Sequence, residues 1–230
     1  KRKNMTLGFP TDLNKLELSE AYYEHQLKDL EPIPYKIVED GPVLENIQEG
    51  DQVDVNRFPA PLWHQADGGR YLGTGSYDVT MDPDNHSLNL GTYRVMIHDK
   101  NHVGFYISPG KHGRVHRDKW FAKGKPMPAV VIIGGDPMTF LNGCTEMPPG
   151  VCEYDVVGAM RGKALEVIKG KHTGIPFPAD AEIVIEGFVD PDDQRDEGPF
   201  GEWTGYYGSD MRPEPTMEIK AIYHRNNPII

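Results

Sequence analysis

Cysteine is scarce in this 230-residue sequence, which contains only Cys144 and Cys152, and the two do not form a CxxC pair. Two isolated cysteines favour neither a disulfide framework nor a thiolate zinc site. Such low cysteine usage is typical of a reducing compartment, so we expect a cytoplasmic protein.

Positive charge and long apolar runs are also scarce. The chain has 24 Lys and Arg against 35 Asp and Glu, a formal net charge of -11. This excess of negative charge argues against nucleic acid or an anionic membrane as a partner, but it leaves room for a local basic pocket that binds one phosphate. No apolar run approaches the roughly 18 residues that a membrane helix needs, so we expect no membrane association.

Short β-type runs dominate the sequence from about residue 35 onwards. An amphipathic helix is predicted at 18–30 and a longer one at 153–169, in which Gly158 and Gly162 would permit close packing. Seven runs bounded by Gly, Pro, Asn and Asp predict strands: YKIV, GTGSYDVTM, YRVMIH, HVGFYIS, PAVVIIGG, AEIVIEGFV and MEIKAIYH. The sequence therefore predicts an α+β fold with a β-barrel or sandwich-like core.

The first polar cluster lies within residues 88–118. Asn89 and Arg94 enter one predicted strand, while Lys111 and His112 leave the next. A two-stranded element would bring these ends together. Its Lys and Arg side chains, with backbone N–H groups of the GTY turn, would suit a phosphate. The alternative is a basic, solvated hairpin end.

The second polar cluster is CTEMPPGVCEYD, residues 144–155, in which Glu153 opens a predicted helix. A carboxylate at a helix start is often only a favourable partner of the helix dipole. The alternative is a metal site, in which Asn89, His112 and Glu153 supply an amide oxygen, an imidazole nitrogen and a carboxylate. That mixed set suits Mn²⁺ or Mg²⁺ better than zinc.

The third polar cluster is DEGPFGEWTGYYG, residues 196–208, in which Glu197 and Glu202 flank a Gly-Pro-Phe-Gly turn. A rigid, partly apolar turn can raise the pKa of a carboxyl group and so produce a proton donor near neutral pH. The alternative is an acidic, solvated loop, because Asp190, Asp192 and Asp193 precede it. The ADGGRY run at 66–71 is typical of a tight turn, and its residues suggest no chemistry.

The order of these clusters resembles the UbiD family of reversible decarboxylases, which use prenylated flavin mononucleotide (prenylated FMN). The resemblance runs from LGFPTD at 7–12 and WHQADGGRY at 63–71 to the last residue, and thus covers almost the whole chain. Its further motifs are NLGTYR, KHGRVHRD, PPGVCEYDVVGAMRG, AEIVIEGFVDP and EGPFGEWTGYYG. The resemblance implies a split β-barrel of the flavin reductase-like type.

The resemblance also implies the roles of individual residues. A divalent metal, commonly Mn²⁺, would hold the cofactor phosphate through Asn89, His112 and Glu153, with K⁺ nearby. The catalytic residues would be Arg94, which pairs with the substrate carboxylate, Glu202, which protonates carbon after CO₂ leaves, and Glu197, which acts through Arg94. The implied cofactor-binding residues are Asn89, Thr92, Tyr93, Arg94, Lys111, His112, Met147 and Glu153.

The resemblance further implies a division of the chain and a reaction. Residues 1–34 would form an N-terminal helical segment and residues 35–230 the prenylated-FMN-binding domain of a longer, homo-oligomeric protein, whose C-terminal domain lies outside this sequence. The expected reaction is reversible, non-oxidative decarboxylation of a small aromatic or α,β-unsaturated carboxylic acid, with a flavin prenyltransferase supplying the cofactor. Two alternatives are a flavin reductase-like oxidoreductase and a non-catalytic flavin-binding subunit of a carboxylase complex.

Overall fold

Helices and strands alternate irregularly along residues 1–73 and 75–230, the part of the chain that the computed structural model describes. The α-helices are α1 (Arg2–Thr6), α2 (Lys15–Tyr22), α3 (His112–Ala122), α4 (Pro137–Gly143) and α5 (Glu153–Arg161), and a π-helical turn, Tyr23–Leu27, extends α2. The strands are β1 (Lys36–Ile37), β2 (Asn46–Glu49), β3 (Tyr71–Gly73), β4 (Ser76–Met81), β5 (Leu88–Gly91), β6 (Val95–Met96), β7 (His102–Gly104), β8 (Met127–Ile133), β9 (Glu166–Lys169), β10 (Pro176–Pro178), β11 (Ile183–Glu197) and β12 (Arg212–His224).

A seven-stranded sheet forms the centre of the fold, with strand order β2-β12-β11-β8-β4-β5 and with β7 paired to β12. All seven residues of β8 are buried. Side chains alternate between the two faces of a strand. Val130 and Ile132 accordingly join one apolar cluster, and Val131 and Ile133 join the other. Both faces of the sheet are thus covered, which explains the unbroken apolar run in β8.

The α+β prediction is confirmed by this arrangement. Within residues 1–73 and 75–230, the edge strands β2 and β5 do not pair, so the sheet is not a closed barrel. A three-stranded sheet, β1-β9-β10, and the pair β3-β6 lie beside it. The split-barrel detail stays a prediction.

The helix predicted at 153–169 is wrong in its second half. Gly162 has φ 69° and caps α5, and the chain then enters β9. Glycine tolerates this left-handed conformation, which commonly ends helices. Gly158 is a close-packing position, as predicted, because a Cβ there would lie 2.7 Å from the carbonyl oxygen of Ile33. Gly162 is not one, since its Cβ would meet nothing within 4 Å.

The predicted strands of residues 73–118 are shortened. The run at 73–81 contains β4, and its residue 74 lies outside the described residues. Of the run YRVMIH only β6 forms a strand, and of the run HVGFYIS only β7 does. Lys111 and His112 do not end a strand, because α3 begins at His112 with Lys111 at its N-cap position. Gly110, at φ 86°, turns the chain into this helix.

The other helices also differ from prediction. The predicted helix at 18–30 begins earlier, where Asn14 and Glu17 form a capping box, and its π-helical turn ends at Leu27. The helix α4 was not predicted; Asp136 caps it by accepting from the Met138 N–H, and Pro137 lies in its first turn.

The acidic run before the third cluster is part of a strand and not a solvated loop. It belongs to β11, which pairs with β12 past a register shift between Asp190 and Gln194. Asp193 is half-buried and accepts hydrogen bonds from Arg195 and from the Thr216 hydroxyl. This pairing carries β11 as far as Glu197. None of the described helices has both the length and the apolar character that crossing a membrane requires.

Candidate functional site

Arg94, which immediately precedes β6, and Glu197, the last residue of β11, form an ion pair whose carboxylate is buried. Arg94 Nε donates to Glu197 Oε1 at 2.8 Å and Nη2 donates to Oε2 at 2.7 Å. The Tyr71 hydroxyl donates to the same Oε1 at 3.0 Å. Glu197 is 1% exposed. Two parallel charge-assisted bonds hold the guanidinium and the carboxylate in one plane.

This ion pair changes the pKa of the groups around it. Burial disfavours the charged form of Arg94, but the hydrogen bond and charge of Glu197 outweigh that effect and raise its pKa. Burial, followed by the neighbouring carboxylate, raises the pKa of Tyr71 far above its usual range. Arg94 is therefore a permanent cation and Tyr71 a permanent hydrogen-bond donor at neutral pH.

Glu202 differs from Glu197 in both burial and pairing. Its side chain is 38% exposed, and its Oε1 lies 3.9 Å from Arg94 Nη1. Its backbone is held by a turn, because the Glu202 N–H donates to the Tyr206 carbonyl at 2.8 Å and the Gly205 N–H donates to the Glu202 carbonyl at 2.9 Å. The turn thus presents two different carboxylates. That of Glu197 is locked, because both of its oxygens accept hydrogen bonds, and that of Glu202 is free, because it can contact a bound molecule.

A cleft of about 750 Å³ opens beside Arg94 and Glu202. The Arg94 guanidinium carbon lies 5.1 Å from the ring centre of Tyr106 and 5.3 Å from that of Phe200. The guanidinium of Arg212 lies 4.6 Å from the same Tyr106 ring. Aromatic faces beside guanidinium groups suit a planar, anionic ligand. The other lining residues are Ser76, Thr92, Tyr93, Ser108, Phe140, Cys144, Trp203, Gly208 and Ser209.

A smaller cavity of about 70 Å³ shares Thr92, Tyr93 and Cys144 with the cleft. Of the eight residues proposed from sequence for the cofactor and the metal, Arg94 lines only the larger cleft, and the other seven line this cavity: Asn89, Thr92, Tyr93, Lys111, His112, Met147 and Glu153. The three proposed metal ligands come from three elements, since Asn89 lies in β5, and His112 and Glu153 are the first residues of α3 and α5. Two helix N-termini at one cavity favour an anion there.

Glu153 is the side chain in this cavity whose hydrogen bonding is incomplete. It is 2% exposed, and its Oε2 has no hydrogen-bond partner. Burial raises the pKa of this carboxyl to about 7. An unpaired buried carboxylate oxygen beside an amide and an imidazole fits a hard divalent cation. No group of three or more His, Cys, Asp or Glu in the described part of the chain is arranged to hold a metal, and this set contains two such residues and one amide.

Residues 36–230 match the family model of the UbiD 3-octaprenyl-4-hydroxybenzoate carboxy-lyase Rift-related domain. The chain belongs to the UbiD family. The family predicted from the order of the three clusters is therefore confirmed.

Relatives of this UbiD-family chain are substantially longer. It is 38% identical over 200 residues to the pyrrole-2-carboxylic acid decarboxylase of Pseudomonas aeruginosa, a match that spans 87% of this chain and 40% of that protein. The UbiD-class enzyme HmfF from Pelotomaculum thermopropionicum, solved in complex with prFMN, superposes with a TM-score of 0.88 at 28% identity, over 99% of this chain and 52% of that one. The closed form of the vanillic acid decarboxylase of Sedimentibacter hydroxybenzoicus gives 0.90 at 30% identity, over 99% and 49%. The chain spans about half the length of these relatives.

Sequence reasoning missed several residues that shape the site of this UbiD-family chain. Asp78 is fully buried in β4 and accepts the Tyr93 N–H at 2.9 Å, and burial raises the pKa of its carboxyl well above its usual range. Tyr71 and Arg212 were missed as well. An acidic residue inside the apolar run SYDVTM is a signal that could have identified Asp78.

Proposed function

We propose that the protein containing this chain catalyses reversible, non-oxidative decarboxylation of a small aromatic or α,β-unsaturated carboxylic acid. The observation that carries the proposal is the contrast in the turn of residues 197–202: a locked Arg94–Glu197 pair stands beside a free Glu202 carboxylate at an aromatic cleft. The decarboxylases to which the chain is similar support the same reaction class.

The proposed cofactors are prenylated FMN, Mn²⁺ or another divalent metal, and K⁺. Asn89, His112 and Glu153 would hold the metal, and Thr92, Tyr93 and Lys111, with Met147 beside them, would hold the phosphate end of the flavin. When bound, the prenylated flavin supplies the electron sink for the electron pair that CO₂ leaves behind. The solved complex of HmfF with prFMN supports this choice of cofactor.

Arg94 orients the substrate. Its Nε and Nη2 are occupied by Glu197, which leaves Nη1 facing the cleft for a substrate carboxylate. Because Glu197 fixes the plane of the guanidinium, the substrate carboxylate has one preferred direction of approach. The rings of Tyr106 and Phe200 limit the water that reaches this position.

Glu202 holds the proton that replaces CO₂ on the substrate carbon. Its carboxylate lines the cleft and has no hydrogen bond to protein in the described residues, so it is able to approach a bound molecule. General acid catalysis by a positioned carboxyl contributes about 10²–10⁴-fold. Glu197 acts through Arg94, since both of its oxygens are already bonded.

The full-length protein, reconstituted with prenylated FMN and Mn²⁺, tests the reaction class. We expect CO₂ release from aromatic or α,β-unsaturated acids and no bleaching of the flavin by NADH. NADH-dependent bleaching would instead support a flavin reductase-like oxidoreductase, and flavin and metal binding without CO₂ release would support a non-catalytic subunit.

Further features of the whole protein belong to the same proposal. We propose a homo-oligomer when the chain is full length, a cytoplasmic location, and a flavin prenyltransferase as supplier of the cofactor. The split-barrel, flavin reductase-like classification and the division into residues 1–34 and 35–230 stay predictions. The evolved dimeric form of the similar enzyme HmfF supports an oligomer.

A further inference from the structure

The loop of residues 64–71 packs against the turn that carries Glu202. The side chain of Asp67 in this loop has no exposed surface. Its Oδ2 accepts the His64 N–H at 2.8 Å, and its Oδ1 accepts the Gly201 N–H at 2.8 Å. Both oxygens of this buried carboxylate thus accept hydrogen bonds from backbone N–H groups. The N–H that Oδ1 accepts belongs to the residue immediately before Glu202.

Two glycines bring the loop and the turn into backbone contact. The Gly68 N–H donates to the Pro199 carbonyl at 2.8 Å, and a Cβ at Gly68 would overlap the Gly198 carbonyl oxygen. A Cβ at Gly201 would lie 2.5 Å from the ring of His64. The Asp-Gly-Gly run of the loop therefore meets the Gly-Pro-Phe-Gly run of the turn at distances that no larger residue permits.

The end of the same loop contacts the other carboxylate of the turn. Tyr71, where the loop becomes β3, donates to Glu197, and its ring packs 4.6 Å from that of Phe200. The Ala66 N–H donates to the Tyr207 hydroxyl at 3.0 Å, beyond Glu202 in sequence. One loop thus contacts the turn at Glu197, between the two glutamates and after Glu202.

The position of Glu202 depends on its backbone. In the described part of the chain, its carboxylate has one charged neighbour, Arg94, at 3.9 Å. Its own N–H is bonded to Tyr206, and the preceding N–H, that of Gly201, is bonded to Asp67. A reacting group keeps its position when the residue that holds it is buried and fully hydrogen-bonded. A displacement of the reacting group by about 1 Å can lower the rate by about 10²-fold.

We propose that Asp67 is a positioning residue, whose buried carboxylate fixes the Gly201 peptide and thereby the distance between Glu202 and Arg94. The proposal rests on the proposed function only in its choice of Glu202 as the proton donor. It assigns to the ADGGRY run a role that its sequence alone does not suggest.

Hydrogen exchange tests the contact without reference to activity. In the full-length protein, we expect Asp67→Ala to accelerate amide exchange in residues 198–208, because the Gly201 N–H loses its acceptor. Asp54→Ala is the matched control, since Asp54 also accepts a backbone N–H in its own turn but lines neither cavity. Equal protection of residues 198–208 in Asp67→Ala and in the control would overturn the proposal.

A double-mutant cycle tests the link to Glu202. We expect Asp67→Ala to lower kcat by about 10²-fold with KM within about threefold of wild type, and to add no further loss to Glu202→Gln, because residues that act as a unit are non-additive. Asp67→Asn, which keeps one acceptor oxygen, should give a smaller loss and replaces Asp67→Ala if that variant does not fold. Losses that add fully to Glu202→Gln, or a kcat equal to that of Asp54→Ala, would overturn the proposal. If wild type releases no CO₂, the proposed function fails, while hydrogen exchange still decides on the contact.

Discussion

Replacing Glu197 by Gln tests the difference between the two carboxylates of the turn. Glu197 accepts two hydrogen bonds from Arg94 and one from Tyr71 and is 1% exposed. Glutamine has nearly the same volume and keeps one acceptor oxygen, but its NH₂ group faces a guanidinium donor. Arg94, with a side chain that is 14% exposed, then keeps its charge with only the more distant and more exposed Glu202 carboxylate, at 3.9 Å, as a counterion.

The expected loss of stability follows from this burial. Removing one partner of a buried ion pair costs about 3–5 kcal/mol. The retained oxygen of Gln and the partial exposure of Arg94 reduce the expected loss to about 2–3 kcal/mol. In a domain of this size, about 1 kcal/mol shifts Tm by about 2–4 °C, so we expect Tm to fall by about 4–12 °C. Glu202→Gln is the control, and its free energy of unfolding should change by no more than about 0.5 kcal/mol.

Calorimetry of the cofactor-free full-length protein measures both Tm values, and CO₂ release from the reconstituted protein measures activity. Glu197→Gln should lower Tm and activity together, whereas Glu202→Gln should lower activity alone. A Tm equal to that of wild type in Glu197→Gln, or equal Tm losses in the two variants, would refute the distinction between a locked and a free carboxylate.

Three further substitutions probe the surroundings of the site. Glu153→Gln should weaken Mn²⁺ binding at least about tenfold in a metal titration. Glu146 is exposed and lines the same cavity, so Glu146→Gln should leave Mn²⁺ binding unchanged. Equal Mn²⁺ affinities of the two variants would contradict the metal site. Burial raises the pKa of Asp78, so the folded state retains a proton that the unfolded state loses, and stability should fall by about 1.4 kcal/mol per pH unit from about pH 4 up to the folded-state pKa. Asp78→Asn should remove that slope in urea unfolding at a series of pH values, and an unchanged slope would contradict a neutral Asp78. Gly68→Ala should lower the free energy of unfolding by about 1–3 kcal/mol, because the added Cβ overlaps the turn. Gly75→Ala is the control, since a Cβ there meets nothing within 4 Å. Equal stabilities of the two variants in urea would contradict the close approach of loop and turn.

The residue types of the site were readable from the sequence because each carries a chemical preference. Asn89, His112 and Glu153 form a mixed oxygen and nitrogen set, and they do line one cavity. The helices and strands that carry these residues were harder to predict. The helix α3 buries Gly113, His116 and Arg117 rather than an apolar stripe, so its hydrophobic periodicity is weak and the segment resembled a solvated hairpin end.

The contacts that distinguish Glu197 from Glu202 could not be read from local sequence. Both glutamates flank the same Gly-Pro-Phe-Gly turn, but pairing of β11 with β12 buries Glu197 and leaves Glu202 beyond the strand end. The partners of the turn come from far away in sequence: Asp67 lies 134 residues from Gly201 and Tyr71 lies 126 residues from Glu197. Local patterns predict elements, whereas such pairings depend on how the elements assemble.

Proton transfer by Glu202 is the central claim, and deuterium incorporation in D₂O tests it most directly. The measurement compares full-length wild type with Glu202→Gln, both reconstituted with prenylated FMN and Mn²⁺ and supplied with the same carboxylic acid. We predict that wild type releases CO₂ and places deuterium on the carbon that lost it, and that Glu202→Gln does both at least about 10²-fold more slowly. Equal rates of CO₂ release and deuterium incorporation in the two proteins would contradict the assignment.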